Sequence, residues 1–271
     1  MVGGTAHPGL RSGTLAGRQA ECDVIAQAFA RLADGRSQVV ELTGDPGTGK
    51  TRLLTEVARR GAERGFLVLD GRAQHSGERM PFYALVDALD DHLAGLDFRE
   101  LEADRAVLGS IFPSLRRPGR EDAASAGERY RLFRAVRALL ESLASPALVL
   151  LLDDMQWADE DTAELLAQLL RQPPRKPVLL ALAYRWRQAP ARLRAAVATA
   201  RGDDPPACLR LGPLSEAEAE LMLGGRGGRV VGLEPRDLAD GVDAEGVADH
   251  GGRACRQPPG RGQRQQLRDQ G

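Results

Sequence analysis

Eight consecutive residues constrain this chain more than any other feature: Gly44-Asp45-Pro46-Gly47-Thr48-Gly49-Lys50-Thr51. They read G-x-x-x-x-G-K-T, a spacing suited to cradling a phosphate. An apolar run, Val39-Val40-Glu41-Leu42-Thr43, leads in, and a helical pattern, Arg52-Leu53-Leu54-Thr55-Glu56-Val57-Ala58, leads out. Gly44, Gly47 and Gly49 let the backbone bend and approach an anion closely. The helix that follows aims its first-turn N–H groups and its positive dipole end at the same anion. Lys50 is then suited to the β- and γ-phosphates of a nucleotide, and the Thr51 hydroxyl to Mg²⁺. Asp45, Pro46, Thr48 and Arg52 complete the expected nucleotide-binding run. Lysine usage singles out the same place. Of 37 basic residues only Lys50 and Lys176 are lysine, so a compact ammonium stands where one is needed, in a chain that otherwise uses arginine.

A second chemical pattern lies about 100 residues further on. Ala147-Leu148-Val149-Leu150-Leu151-Leu152 is an unbroken apolar strand ending in Asp153-Asp154. Asp153 is expected to hold Mg²⁺ opposite Thr51. Asp154 is expected to orient and activate an attacking water. A core strand that merely ends in two solvated acids is the plainer alternative.

Between and around these motifs, apolar strands alternate with amphipathic helices. Strands are expected at about 38–43, 66–69, 147–152, 178–184 and 207–211. Helices are expected near 20–33, 52–60, 81–93, 127–143, 160–171 and 190–200. The stretch 94–126 is broken by Pro113 and Pro118 into short pieces, and 71–80 reads as a polar loop. Continuous apolar strands with helices between them predict a mostly parallel, five-stranded α/β sheet covered on both faces. Ligands of such sheets sit at the carboxyl ends of the strands, where the glycine-rich loop lies.

Composition excludes several classes. The 37 basic and 38 acidic residues give a net charge of −1, with no global electrostatic case for nucleic acid or an anionic membrane. Three scattered cysteines lack metal-ligand spacing and suit a reducing cytosol. No apolar run approaches a membrane span and residues 1–13 lack a signal-peptide h-region, so a cytoplasmic location is expected.

Several runs carry a family resemblance. They are Leu15-Ala16-Gly17-Arg18-x-x-Glu21, the phosphate loop, Leu151-Leu152-Asp153-Asp154-Met155-Gln156-Trp157-Ala158-Asp159, Ala183-Tyr184-Arg185, and Leu211-Gly212-Pro213-Leu214-Ser215. In that order they resemble the AAA+-like P-loop ATPase module of signal-transduction (STAND) NTPases. The nearest look is to the large ATP-binding LuxR-type, MalT-like transcriptional regulators and to ATPase modules beside adenylate cyclases and kinases. The resemblance covers about residues 14–223. It implies an ATP-binding, slowly hydrolysing regulatory module that uses Mg²⁺ and acts as a nucleotide switch. Arg18 would lie near adenine and ribose, and Arg185 would act as a sensor of the γ-phosphate; an exposed strand-end arginine is the alternative for Arg185. Trp157 is expected to pack, Asp159 to cap a helix, and His75 and His92 to lie at the surface or a helix edge with no partner that suggests a metal site or a triad.

The resemblance divides the chain into an N-terminus at 1–13, an ATPase domain at 14–212, the start of a helical lid at 213–223, and a tail at 224–271. The tail holds 12 glycines and no aromatic residue, and reads as disordered. The family's Gly-Asn-Pro lid element is missing. Either the reading frame shifts near residue 224, with Arg256-Gln257-Pro258 as the out-of-frame trace of that element, or the chain is short with a disordered tail. Partners are then ATP and ADP, with self-association or absent regulatory domains, and no direct DNA contact or membrane. Two other readings stand beside the switch: a loader or origin-recognition-like AAA+ ATPase acting on DNA, and a remnant that only binds nucleotide.

Overall fold

A computed structural model describes residues 17–75, 80–96, 101–116, 126–200 and 205–215. The expected N-terminal segment 1–13, the continuation of the lid from 216 to 223, the tail and the Arg256-Gln257-Pro258 element lie outside the described residues.

The chain begins with helix α1 (Gln19–Ala33) and strand β1 (Gln38–Gly44), then α2 (Lys50–Glu63) and β2 (Leu67–Arg72). Helices α3 (Tyr83–Ala94), α4 (Glu102–Leu108) and α5 (Ala126–Leu143) intervene before β3 (Leu148–Asp153). Then come α6 (Glu160–Arg171), β4 (Val178–Tyr184), α7 (Ala191–Thr199) and β5 (Ala207–Leu211). The five strands form one sheet in the order β2-β3-β4-β1-β5, with every pairing parallel. This is an α/β architecture, a five-stranded parallel sheet flanked by helices. Strand β2 runs on to Arg72, beyond the expected end of that strand, because its partner β3 continues to Asp153 and pairs Arg72 with it. The 94–126 stretch supplies α4 and a short 3-10 turn at Pro113–Leu115.

Two-residue alternation divides the core into two layers. Leu148, Leu150, Leu152, Leu180, Leu182 and Tyr184 face one way, with α3, α5, α6 and α7 packed on them. Val40, Leu42, Val149, Leu151, Leu179 and Ala181 face the other way, under α1 and α2. Strands buried on both faces must be apolar throughout, and β3 and β4 are buried at every position. Glu41 of β1, 4% exposed, departs from this pattern, and its carboxylate accepts a hydrogen bond from the Tyr184 hydroxyl. The pairing satisfies a carboxylate that could not otherwise be buried there, and burial with the Glu41 charge pushes the Tyr184 phenol up.

Where β2 meets α3 the backbones come very close. A Cβ on Gly71 would sit 2.2 Å from the Ala84 carbonyl oxygen and 2.8 Å from the Ala88 nitrogen. This glycine seats the end of β2, and with it Arg72, against α3. Among the described residues no helix is long and apolar enough to cross a membrane.

Candidate nucleotide-binding site

The phosphate loop leaves the carboxyl end of β1 and enters α2. Gly47 and Gly49 take positive φ, 78° and 93°, which only glycine adopts without strain. Gly44 is required for a different reason: a Cβ there would lie 2.6 Å from both the Leu211 carbonyl oxygen and Thr48 Oγ1. Thr48 closes the turn by donating its hydroxyl to the Asp45 carbonyl at 2.9 Å. Asp45, Pro46, Gly47 and Gly49 are exposed along the loop, and Arg52 is exposed in the first turn of α2. Gly49 caps α2 with no side-chain cap bond, so the first-turn amides face the loop's own concavity.

Lys50 is buried, 8% exposed, and its ammonium donates to the carbonyls of Gly44 at 2.9 Å and Asp45 at 2.8 Å. Burial and the neighbouring Arg185 charge lower its pKa, against the pull of Asp153, Asp154 and Asp45. Thr51 donates its hydroxyl to Asp153 Oδ2 at 2.7 Å, across 102 positions of sequence. The two residues expected to share a Mg²⁺ are therefore in direct contact. A hydroxyl and a carboxylate are hard oxygen donors of the kind Mg²⁺ takes, with water and phosphate filling its other positions. The residues present fit Mg-nucleotide: a loop with no room for a Cβ at its base, a buried ammonium, and this oxygen pair. No group of three or more His, Cys, Asp or Glu suited to a metal occurs among the described residues.

Asp154 takes φ 52°, a left-handed value that asparagine and aspartate tolerate best among side-chain-bearing residues. The turn swings its carboxylate out of line with β3 and starts a 3-10 turn at Met155–Trp157. Its Oδ2 accepts from Arg72 Nε at 2.6 Å, and its Oδ1 accepts from Gln156 Nε2 at 2.8 Å. Burial pushes its pKa up, but the hydrogen bonds from Gln156 and Arg72 and the charges of Arg72 and Arg185 outweigh that, and the net shift is downward. Arg185, half-buried, follows β4, and its backbone N–H donates to Gln156 Oε1 at 3.0 Å. Its side chain reaches Gln188 Oε1 at 3.4 Å.

Arg18 lies at the flank of the loop. One guanidinium nitrogen bonds Glu21 at 2.9 Å, and the other bonds the carbonyls of Thr48 at 3.2 Å and Gly212 at 2.5 Å. Beyond its expected nucleotide-side location, it ties the loop to the chain leaving β5. Asp159 caps α6, accepting from the Thr162 N–H at 2.8 Å. Trp157 is partly buried and packs against the larger of the two core layers. His75 has its ring against Trp157 with centroids 3.9 Å apart, and His92 is half-buried, its pKa lowered by burial.

Two residues of this cluster escape sequence reasoning. Arg72 carries no local signal, because only strand pairing brings it to Asp154. Gln156 does leave one: it is a polar residue in a run that must turn back onto the core, and there it is 5% exposed.

The AAA ATPase domain family matches residues 14–181. The uncharacterized protein R02095 of Rhizobium meliloti (strain 1021) is 28% identical over 235 residues, which is 79% of this chain and 22% of that protein. This chain thus spans about a fifth of that relative's length. Among solved structures, the Thermotoga maritima RuvB Holliday junction branch migration motor aligns with a TM-score of 0.40 and 16% identity, covering 77% of this chain and 49% of that one. The replication initiator DnaA bound to AMPPCP and single-stranded DNA aligns at 0.38 and 18%, covering 74% and 47%.

Proposed function

The chain belongs to the AAA ATPase domain family, and on that premise we propose that it binds Mg-ATP at Gly44–Thr51, hydrolyses it slowly, and serves as a nucleotide-controlled switch in a cytoplasmic regulatory protein. The kind of protein is that of the large LuxR-type, STAND-class regulators. The ATPase unit in this reading is residues 14–212, and the output passes to other segments or to further copies of the chain.

The observation that carries the reading is the 2.7 Å contact between Thr51 and Asp153. It joins the start of the loop helix to the acidic end of β3, the two oxygen donors a nucleotide-bound Mg²⁺ requires. In this reading Lys50 neutralises the β- and γ-phosphates, with the amides of the first turn of α2 behind it. Asp154 accepts a proton from, and orients, the water that attacks the γ-phosphate in line. Arg185 stabilises charge on the transferred group. Bound Mg²⁺ would supply charge neutralisation between the phosphates. Asp154 is one methylene shorter than a glutamate, which suits slow turnover and a switch whose state outlasts each cycle.

The test is equilibrium binding of Mg-ATP to the purified chain and to Lys50→Ala. The expected result is a loss of affinity of about 100-fold in the variant, as a buried charge-assisted contact to phosphate is removed. Equal affinity in parent and variant would sink the assignment.

A further inference from the structure

We infer that Gln156 is a positioning residue that holds the Asp154 carboxylate and the Arg185 backbone as one unit at the mouth of the phosphate loop. The inference rests on the ATPase reading above and adds to it a residue outside the loop and the acid pair.

The chemistry of the two neighbours dictates which way the amide faces. A carboxylate only accepts, so the NH₂ end of Gln156 must meet Asp154; a backbone N–H only donates, so the carbonyl end must meet Arg185. Both contacts are made, at 2.8 and 3.0 Å. Gln156 is 5% exposed and both bonds are partly buried, so solvent competes less there than at the exposed Arg72 contact and a lost partner is costly. Arg72, the other partner of Asp154, has a side chain 66% exposed, and water screens that pair. Gln156 is therefore the partner that fixes Asp154, while Arg72 adds charge.

The backbone gives the bridge its leverage. Asp154 sits in a left-handed turn that directs its side chain away from the line of β3. Arg185 begins a second 3-10 turn, Trp186–Gln188, at the end of β4. Neighbouring strands β3 and β4 therefore each end in a turn at the same edge, and the Gln156 amide is the side-chain link between them. An acid that must present one oxygen to a water cannot rotate when its other oxygen is held by a buried donor.

The experiment measures ATP turnover and Mg-ATP affinity of the full chain for the parent, Gln156→Glu, Gln156→Met and Asp154→Asn, with melting curves for each. Gln156→Glu keeps the acceptor for Arg185 but loses the donor to Asp154 and sets two carboxylates together. Gln156→Met keeps the volume and loses both bonds. The expected result is a fall in kcat of about tenfold or more in both Gln156 variants, larger in Gln156→Glu, with the Kd for Mg-ATP within about threefold of the parent. Parent-like kcat in both, while Asp154→Asn is inactive, overturns the inference and leaves the ATPase reading standing. Parallel loss of affinity and turnover, or failure of both Gln156 variants to melt cooperatively, also overturns it, by showing a role in the fold rather than in placing Asp154. Parent-like turnover in Asp154→Asn removes Asp154 as the base, and the inference with it, whereas absence of turnover in the parent removes the ATPase reading.

Discussion

The phosphate loop and the acid cluster beside it are built on opposite plans. The loop is eight consecutive residues, and most of its contacts stay within that run: Thr48 to Asp45, Lys50 to Gly44 and Asp45. The acid cluster draws Arg72 from β2, Asp153, Asp154 and Gln156 from the end of β3, and Arg185 from the end of β4. Its members are spread over more than a hundred positions and meet only because three neighbouring parallel strands end together. A local motif tolerates change elsewhere in the chain. A cluster gathered by the sheet depends on every strand that delivers a member.

That contrast sets three further tests. The largest effect is expected in the gathered cluster. Asp154→Asn keeps the shape and removes the base, so turnover should fall about 1,000-fold with nucleotide affinity little changed. Single-turnover kinetics beside equilibrium binding separates the two quantities, and a matching loss of affinity would mean that Asp154 serves the loop rather than the water.

A middle effect is expected where the sheet delivers Arg72. Gly71→Ala drives a methyl against the Ala84 carbonyl and the Ala88 backbone, and overpacking of this sort costs about 1–3 kcal/mol. Urea unfolding should show it, with reduced turnover as Arg72 is displaced from Asp154. Gly47→Ala in the loop meets nothing within 4 Å, but its φ of +78° is unfavourable by about 1–2 kcal/mol. If Gly47→Ala destabilises more than Gly71→Ala, the claim that the gathered region is the more demanding one fails.

The smallest effect is expected on the loop helix. Glu56 is held at about 2, from an ordinary 4.5, by hydrogen bonds from Arg59, against the opposing pull of burial, and then from Arg60. A depressed carboxylate adds stability that is full above about pH 4.5 and is lost as pH falls through about 2. Arg59 is half-exposed, so the network contributes less than about 1 kcal/mol at neutral pH. Glu56→Gln should lose that much at pH 7, and the gap should close as pH falls from 4.5 towards 2. A gap that persists at low pH would mean that packing, not charge, accounts for it.

Much of the architecture is legible in the amino-acid pattern. Five strands and the principal helices fall close to their expected positions because apolar runs bounded by turn residues and 3.6-residue stripes are local signals. The end of β2 is less legible. Gly71-Arg72 reads as loop by composition, yet β3 extends alongside and pairs it. The contact of His75 with Trp157 is not legible either, because the two rings lie more than eighty positions apart in the chain.

By itself the sequence determined the strand–loop–helix that shapes the phosphate loop, because glycine φ preferences, helix N-terminal amides and a single well-placed lysine act within a few bonds of one another. It also determined that an apolar strand ends in two acids. Only the tertiary structure decided what those acids touch. The order β2-β3-β4-β1-β5 is a global outcome of packing helices on both faces of one sheet. It brings Asp153 to Thr51, sets Arg72 against one oxygen of Asp154, and closes Gln156 between Asp154 and Arg185. Hydrogen bonds act over about 3 Å, and no run of neighbouring residues encodes which distant strand end will arrive within that reach.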